Sequence, residues 1–242
     1  MHEVTLARRS SKTCDSLSFM QIVLIRHAHS KANERGVLSG RLPGVALSDK
    51  GVEQSQRLVS RLGAMTIRSL HVSPLARCNE TISPWWKEVG SKNNPKVALV
   101  DDNDIIEVDY GSWSGKKLAV LSRKREWKTV QSSPSAMYFP QGEGLAQVQV
   151  RAMNAIHKAL TNKGKGSDVF VTHGDVIKTI VSSVLAMHLD DFQRIVIDPA
   201  SVTVLDYSSD KPRVLLMNDS RSDLESFLNA PFRARNLLGG GA

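Results

Sequence analysis

The chain of 242 residues, with a mass of 26.6 kDa, is long enough to bury a large hydrophobic core without disulfide bonds or structural metals. Hydrophobic residues make up 41% of it and charged residues 23%, which excludes a disordered or fibrous protein. The 32 Lys and Arg residues outnumber the 24 Asp and Glu residues, but the excess is spread along the chain and is not interleaved with aromatic residues. The composition therefore suits anionic small molecules as ligands and argues against nucleic acid.

Neither a membrane-spanning nor a secreted protein is indicated. Apolar runs such as residues 22–25 are far shorter than the ~20 residues of a membrane helix. Residues 1–20 lack the apolar segment and the cleavage site of a secretion signal, and two cysteines are too few for a disulfide framework. We therefore expect a cytoplasmic protein with a flexible leader over residues 1–20, one domain over residues 21–220 and a C-terminal tail over residues 221–242.

In chain order, the first predicted element is a strand at residues 21–26, where four consecutive aliphatic residues leave no polar face. The segment Leu47-Ser48-Asp49 offers an N-cap for a helix that runs to about Leu62, and the apolar residues of this helix recur near a 3.6-residue period. Two further strands are predicted at residues 69–73 and 97–100, with a helix between them. The alternation of strands and helices starts here.

The second half of the chain continues this alternation. The predicted elements are a helix at residues 116–127, a loop at 128–143, helices at 144–162 and 175–187, and strands at 168–172, 202–207 and 213–217. Such an order predicts an α/β fold, a three-layer α/β/α sandwich with a mostly parallel central sheet. Ligands of such folds bind outside the carboxyl ends of the strands.

Two of the predicted strands are followed by a histidine: IVLIRH ends at His27 and DVFVTH at His173. Both imidazoles would then lie at the carboxyl edge of the sheet, which makes the pair a candidate site. A lone histidine in this position is more often a hydrogen-bonded structural residue. Two of them at strand ends, one directly after Arg26, weaken that interpretation.

Several segments match one family, in the order in which the family has them. LIRHAHSKAN at residues 24–33 resembles the R-H-G signature of the histidine phosphatase superfamily, the phosphoglycerate mutase-like fold. Further blocks of that family resemble LSGRLPGVALSDKG, SPLARCNET, IIEVDYGSWSG, FPQGEGL and VTHGDVIK, which start at residues 38, 73, 105, 139 and 171. One such motif is weak evidence, whereas the ordered series is strong. The resemblance implies a phosphoglycerate mutase-like sandwich and an enzyme of phosphoryl transfer.

The resemblance also implies a role for each matching catalytic residue. His27 would attack phosphorus and form a phosphohistidine. Arg26 and Arg77 would hold the phosphoryl oxygens with planar guanidinium groups, and His173, protonated in the complex, would add another donor. Glu107 would be the general acid, which requires a pKa above the ordinary value of a carboxyl group.

Several carboxylates near Glu107 are rival candidates for the general acid. They are Asp101, Asp102, Asp104, Asp109 and Glu143. An acidic stretch of this kind is more often a solvated loop than a catalytic one. Glu107 is favoured because it lies four residues before Gly111, as the general acid does in the phosphatase members of the family.

Contacts to the phosphate or to the rest of the substrate are implied for Asn33, Ser39, Gly40, Arg41 and Gly174. For Arg41, an exposed loop arginine is an equal alternative. His29, two residues after His27, raises the question of a metal site. No metal is predicted, because the nearby acids are not at ligand spacing and the positive pocket would repel a cation.

We expect a metal-independent phosphatase that acts on a small phosphorylated metabolite and needs no cofactor. A competing hypothesis is a phosphoglycerate mutase, which would use 2,3-bisphosphoglycerate. Only 26 residues separate Gly115 from Gly142, fewer than the usual insertion of the mutases, and EVDYGSWSG differs from their E-R-H-Y-G form. A non-catalytic phospholigand-binding protein and a metal-dependent phosphatase are two further hypotheses. Neither nucleic acid nor a membrane is an expected partner, and the oligomeric state stays open, with a homodimer as one option.

Overall fold

The computed structural model describes residues 20–230. They form one sheet of six strands in the order β3-β2-β4-β1-β5-β6. The strands are β1 (Gln21–Arg26), β2 (Ile67–Val72), β3 (Leu99–Asp101), β4 (Ser167–Thr172), β5 (Val202–Asp206) and β6 (Arg213–Asp219). Strands β1 to β4 pair in parallel, whereas β5 and β6 are antiparallel to their neighbours. The prediction of a mostly parallel central sheet is confirmed.

The α-helices of the described residues are α1 (Lys31–Glu34), α2 (Asp49–Leu62), α3 (Ala76–Trp85), α4 (Ser91–Asn93), α5 (Leu118–Leu121), α6 (Arg125–Ser132), α7 (Leu145–Ala159), α8 (Gly174–Val184) and α9 (Glu225–Asn229). Short 3-10 turns lie at Asn103–Ile105, Gly111–Trp113, Pro134–Ala136 and Leu189–Arg194, and a π-helical turn, Trp86–Gly90, extends α3. Ser48 caps α2 as predicted, because its hydroxyl accepts a hydrogen bond from the main-chain N–H of Gly51.

Helices cover both faces of the sheet, which gives the predicted three-layer sandwich. Ile22 and Leu24 of β1 belong to a hydrophobic cluster that includes the apolar residues of α7 and α8. Val23 and Ile25 belong to the other cluster, which includes residues of α2 and α3. Alternate side chains of a strand point to opposite faces, so a strand between two helical layers must be apolar throughout. This is why β1 shows no polar face in the sequence.

The segment after Gly115 differs from its prediction. In place of one helix over residues 116–127 and a loop over residues 128–143, the chain forms α5 and α6 with a break between them. Leu121 of α5 and Val130 of α6 are buried in the same hydrophobic cluster. In one straight helix, residues nine positions apart lie on opposite faces, so the break is what lets both reach this cluster.

The packed part of the chain continues beyond the predicted domain end at residue 220. Leu224 and Leu228 are buried in the cluster that contains α2, and Arg61 of α2 donates a hydrogen bond of 3.1 Å to the carbonyl of Ser222. Helix α9 is too short to show a hydrophobic period in the sequence, so its residues were predicted to belong to the tail. The remainder of that tail and the predicted leader, except Met20, lie outside the described residues.

None of the helices within residues 20–230 is both long and apolar enough to span a membrane.

Candidate active site

The two histidines at strand ends lie side by side. Arg26 of β1 is in register with Thr172 of β4, so the residues that follow them, His27 and His173, leave adjacent parallel strands at the same edge. The main-chain N–H of His27 donates to the carbonyl of Thr172 at 2.8 Å. The centroids of the two imidazole rings are 5.2 Å apart, and both side chains are buried. The sheet therefore brings the predicted pair together.

His27 presents a neutral ring to the cavity. Its Nδ1 lies 2.7 Å from the carbonyl oxygen of Ala28, which can only accept, so Nδ1 carries the proton and donates it. Burial, together with the charges of Arg77 and Arg26, holds the pKa of His27 well below its usual value. The ring is therefore uncharged, and Nε2 keeps its lone pair. That is the protonation state of a nucleophile.

Arg77, Ser73 and Cys78 hold the ring of His173, with Sγ of Cys78 at 3.6 Å from Nε2. Its Nδ1 accepts from Nη2 of Arg77 at 3.1 Å, which leaves Nε2 as the nitrogen that donates to Oγ of Ser73 at 2.7 Å. Burial and the positive charges of Arg77 and Arg26 hold the pKa of His173 well below its usual value. In the free site His173 is therefore neutral, and its protonation in the complex stays a prediction.

Arg26 and Arg77 each use part of the guanidinium group to hold the main chain. Nη1 of Arg26 donates to the carbonyl of Ile197 at 2.5 Å, and Nη2 of Arg77 donates to the carbonyl of Gly40 at 3.0 Å. Nε of Arg26 and both Nε and Nη1 of Arg77 are buried and have no hydrogen-bond partner among residues 20–230. Buried charged donors without acceptors are costly, so an anion is the partner that suits these nitrogens best. A side chain at Gly174 would crowd Arg26, because its Cβ would lie 3.2 Å from Nε of that arginine.

Glu107 is the carboxylate next to this group. Its Oε2 lies 3.6 Å from Nδ1 of His173 and 3.8 Å from Nη2 of Arg77, and its Oε1 accepts from the main-chain N–H of Val108 at 3.0 Å. Burial raises the pKa of Glu107 to about 7, against the opposing effect of the Arg77 charge, and Asp175 adds to the rise. A carboxyl group with this pKa can both give and take a proton near neutral pH, as general acid–base catalysis requires.

Three of the five rival acids are bonded elsewhere. Glu143 is bonded to Arg41 and Arg151, and Oδ1 of Asp109 accepts from the main-chain N–H of Gly111. Asp102 lies 3.0 Å from Nδ1 of His71. Of these candidates, Glu107 is the one that lines the cavity next to His27.

The predicted substrate-contact residues do not all reach that cavity, which has a volume of about 200 Å³. Asn33, Ser39, Gly40 and Gly174 line it. Asn33 is in part structural, because its side-chain oxygen accepts from the main-chain N–H and the hydroxyl of Ser30, which caps α1. Arg41 does not line the cavity. Its guanidinium is drawn to the carboxylate of Glu143 instead.

Several residues that line the cavity were not predicted from the sequence. Tyr110 donates from its hydroxyl to Oδ2 of Asp175 at 2.7 Å, and Oδ1 of Asp175 lies 3.4 Å from Nζ of Lys178. Asp175 and Lys178 lie in the motif VTHGDVIK, three residues apart, so the start of a helix directly after His173 could have placed both at the site. Ile197 lines the cavity from the loop before β5, and no motif in the sequence indicated its place there.

A metal ion fits this donor set poorly. Ligand atoms of His27, Glu107 and His173 lie within 4.8 Å of one another. Both ring nitrogens of His173 already have hydrogen-bond partners, and the guanidinium groups of Arg26 and Arg77 place positive charge in the same space. The arrangement therefore suits an anion better than a cation.

The comparison with known families agrees with this geometry. The model of the histidine phosphatase superfamily (branch 1) matches residues 22–220. The chain belongs to this superfamily. The predictions of this family and of an enzyme within it are thereby confirmed.

Relatives within the histidine phosphatase superfamily include both hydrolases and mutases. The chain is 26% identical to phosphoserine phosphatase 1 of Hydrogenobacter thermophilus over 201 residues, which cover 82% of this chain and 92% of the relative. It is 25% identical to the 2,3-bisphosphoglycerate-dependent phosphoglycerate mutase of Thermoplasma acidophilum, with coverage of 76% and 86%. Among solved structures, phosphoserine phosphatase from Entamoeba histolytica in complex with 3-phosphoglyceric acid has a similar fold, with a TM-score of 0.71, 20% identity and coverage of 83% and 97%.

Proposed function

We propose that this member of the histidine phosphatase superfamily hydrolyses small phosphate monoesters through a phosphohistidine at His27, without a metal ion. The observation that carries the proposal is the set of buried N–H groups of Arg26 and Arg77 that no described residue accepts from, beside a neutral imidazole. A phosphoryl group offers the equatorial oxygens that such donors bind. A non-catalytic binder would need the arginines but neither the lone pair on Nε2 of His27 nor a carboxyl group with a pKa near 7.

In the first half-reaction, Nε2 of His27 attacks phosphorus as the bond to the ester oxygen breaks. Arg26 and Arg77 hold the equatorial oxygens and stabilise their charge in the transition state. Glu107, in its protonated form, gives its proton to the departing oxygen, so the alcohol leaves neutral. The products of this step are the phosphohistidine, the alcohol and the carboxylate of Glu107.

In the second half-reaction, water attacks the phosphohistidine. The carboxylate of Glu107 takes a proton from the attacking water, the N–P bond breaks, and its electron pair returns to Nε2 of His27. Inorganic phosphate leaves, and Glu107 is again protonated. One carboxyl group serves both steps, which requires a pKa close to the working pH.

Phosphatase activity is favoured over mutase activity by the segment between Gly115 and Gly142. Helices α5 and α6 and a 3-10 turn occupy this segment, and it contains no larger insertion over the cavity. A mutase must keep water from the phosphohistidine long enough for an intermediate to reorient. The named relatives do not separate the two activities, because the phosphatase and the mutase are 26% and 25% identical to this chain. The cavity volume of about 200 Å³ supports a small leaving group.

The cellular setting is part of the proposal. We place the protein in the cytoplasm with a small phosphorylated substrate as its partner. Cys78 is a free, buried thiol, which fits a reducing compartment. No cofactor is needed for the two half-reactions, whereas a mutase would need 2,3-bisphosphoglycerate.

The test combines turnover with detection of the intermediate. The full chain is incubated with p-nitrophenyl phosphate and EDTA between pH 5 and 8 and quenched in alkali, so that acid-labile phosphate on the protein is preserved. Hydrolysis with chelator present and labelling of His27 support the proposal. Absence of turnover on nitrophenyl phosphate and on a panel of phosphorylated metabolites indicates a binder, and loss of turnover with EDTA indicates a metal-dependent enzyme. Conversion of 3-phosphoglycerate to 2-phosphoglycerate, dependent on 2,3-bisphosphoglycerate, identifies a mutase.

A further inference from the structure

The main chain of Glu107 is held by two arginines from distant parts of the sequence. Its carbonyl oxygen accepts from Nε of Arg41 at 2.8 Å and from Nη2 of Arg151 at 3.2 Å. Arg41 follows the loop that lines the cavity, and Arg151 lies on α7. The segment that carries the carboxyl group is therefore fixed from two sides.

Glu143 joins the two arginines to each other. Its Oε1 accepts from Nη2 of Arg41 at 2.7 Å and from Nη2 of Arg151 at 2.8 Å, and its Oε2 accepts from Nε of Arg151 at 3.1 Å. Oε1 also accepts from the main-chain N–H of Asp109 at 2.8 Å, and the N–H of Glu143 donates to the carbonyl of Asp109 at 2.9 Å. The result is a bonded frame around the main chain of Glu107 and Asp109.

Charge in this frame is close to balanced. Two guanidinium groups face the carboxylate of Glu143, and the carboxylate of Asp109 lies 3.7 Å from Nη1 of Arg41. Arg41, Glu143 and Arg151 do not line the cavity. Their hydrogen bonds reach the site through the main chain of Glu107, and the charge of Arg151 also lowers the pKa of His173.

The carboxyl group of Glu107 depends on its own main chain. Its Oε1 accepts from the N–H of Val108, so rotation of that peptide would turn the carboxyl group with it. A general acid has to lie within about 2.6–3.2 Å of the oxygen that it protonates. Displacement by roughly 1 Å can reduce a rate by about 100-fold.

We propose that Arg41, Glu143 and Arg151 are positioning residues that set the distance between the carboxyl group of Glu107 and the leaving oxygen. This inference rests on the proposed function, because it needs Glu107 to be the general acid. It also gives Arg41 a different task from the substrate contact implied by the family resemblance.

The test uses substituted phenyl phosphates, which share one shape but differ in how much the leaving oxygen needs a proton. The variants Arg41→Gln and Arg151→Gln are compared with the wild type by kcat/KM, which reports the steps up to formation of the phosphohistidine. We expect kcat/KM for phenyl phosphate to fall about tenfold, and for p-nitrophenyl phosphate about twofold. The inhibition constant of inorganic phosphate should stay within about twofold of the wild type, because Arg26 and Arg77 are untouched.

Two further variants serve as controls. Arg194→Gln removes an exposed arginine that pairs with Asp191 at 3.4 Å and has no hydrogen bond or ion pair with this frame, so it should leave both esters unaffected. Arg151→Lys restores a positive charge and some hydrogen bonding, so it should recover part of the loss on phenyl phosphate. Melting temperatures show whether each variant is folded. If Arg151→Gln is unfolded, the test depends on Arg41→Gln, because Arg41 lies on a half-exposed loop.

The outcomes separate the inference from the function on which it rests. Equal losses on all esters, or a change confined to the phosphate inhibition constant, would overturn the positioning role of these residues. Equal losses with a raised KM for Arg41→Gln would return Arg41 to substrate contact. A wild-type protein that hydrolyses none of the esters would instead refute the proposed phosphatase.

Discussion

The phosphate side of the cavity is built on strand ends, whereas the side that faces the leaving group is built on loops. His27 and His173 directly follow paired strands, and Arg77 lies in the first turn of α3. Glu107, by contrast, lies between two 3-10 turns and is held by side chains of other segments. In the proposed mechanism, the strand-end side carries the chemistry common to every phosphate ester. The loop side would decide which ester is used and when its oxygen receives a proton.

The largest effect is expected on the phosphate side. His27→Ala removes the nucleophile and should lower kcat by at least about 10³-fold, with loss of alkali-stable, acid-labile phosphate on the protein. Single-turnover assays with labelled substrate measure both. Labelling that persists in this variant would show that another residue is the nucleophile. The division of the cavity into a phosphate side and a loop side would then be wrong.

The next effect concerns the loop side and depends on the ester. Glu107→Gln should lower kcat/KM for phenyl phosphate by about 100-fold and for p-nitrophenyl phosphate much less, because nitrophenolate leaves without a proton. In the wild type, the proton donor is lost as pH rises through about 7, so kcat/KM for phenyl phosphate should fall above that pH. The variant should lack this decline. Equal losses on both esters at every pH would place the general acid elsewhere.

Arg77→Lys should reduce kcat/KM by about tenfold or more, to a similar extent for every ester. Arg77 can donate to an anion from Nε and Nη1 while Nη2 bonds the carbonyl of Gly40. Lysine keeps the charge, but its single nitrogen cannot replace all three donors in these positions. Steady-state kinetics on the phenyl series measure this, with Arg57→Lys on the exposed face of α2 as the matched control. A loss that varies with the leaving group would contradict the division between the two sides.

The smallest effect is expected at Lys178, which lines the cavity from α8. Lys178→Met should lower kcat/KM by a few-fold for phosphate esters that carry a carboxylate, and leave p-nitrophenyl phosphate nearly unchanged. Nζ of Lys178 is shared with Asp175 and with Oε1 of Gln193, which limits the gain from one more anion. A competition assay between phosphoserine and phenyl phosphate detects such a change in preference. An identical loss on both would show that Lys178 supports the fold and not the choice of substrate.

The phosphate side could be predicted from the sequence because its residues are tied to regular structure. The apolar run of β1 and the strand before His173 give the position of both imidazoles, and a parallel sheet brings their ends to one edge. Arg77 followed from the motif SPLARCNET, which starts the helix after β2. Glu107 could be ranked above its neighbours by the family resemblance, whereas its burial needed the structure.

The loop side could be predicted only in part. Arg41 lies next to cavity-lining residues in sequence, yet its side chain turns to Glu143, more than a hundred positions later. Contacts of this range leave no periodic pattern in the sequence. The same holds for Leu121 and Val130, whose shared burial forces the break between α5 and α6, and for Leu228, whose helix is too short to show a period.

Each arginine that we propose to bind the phosphoryl group also bonds the main chain of the cavity wall. Arg26 bonds the carbonyl of Ile197 and Arg77 bonds the carbonyl of Gly40, which leaves Nε of Arg26 and both Nε and Nη1 of Arg77 for the anion. The size of a guanidinium group therefore sets the distance from a bound phosphoryl group to the carbonyls of Ile197 and Gly40. Evolution can exchange side chains along those walls without shifting the reacting atom, so new specificities arise while the phosphoryl chemistry stays in place.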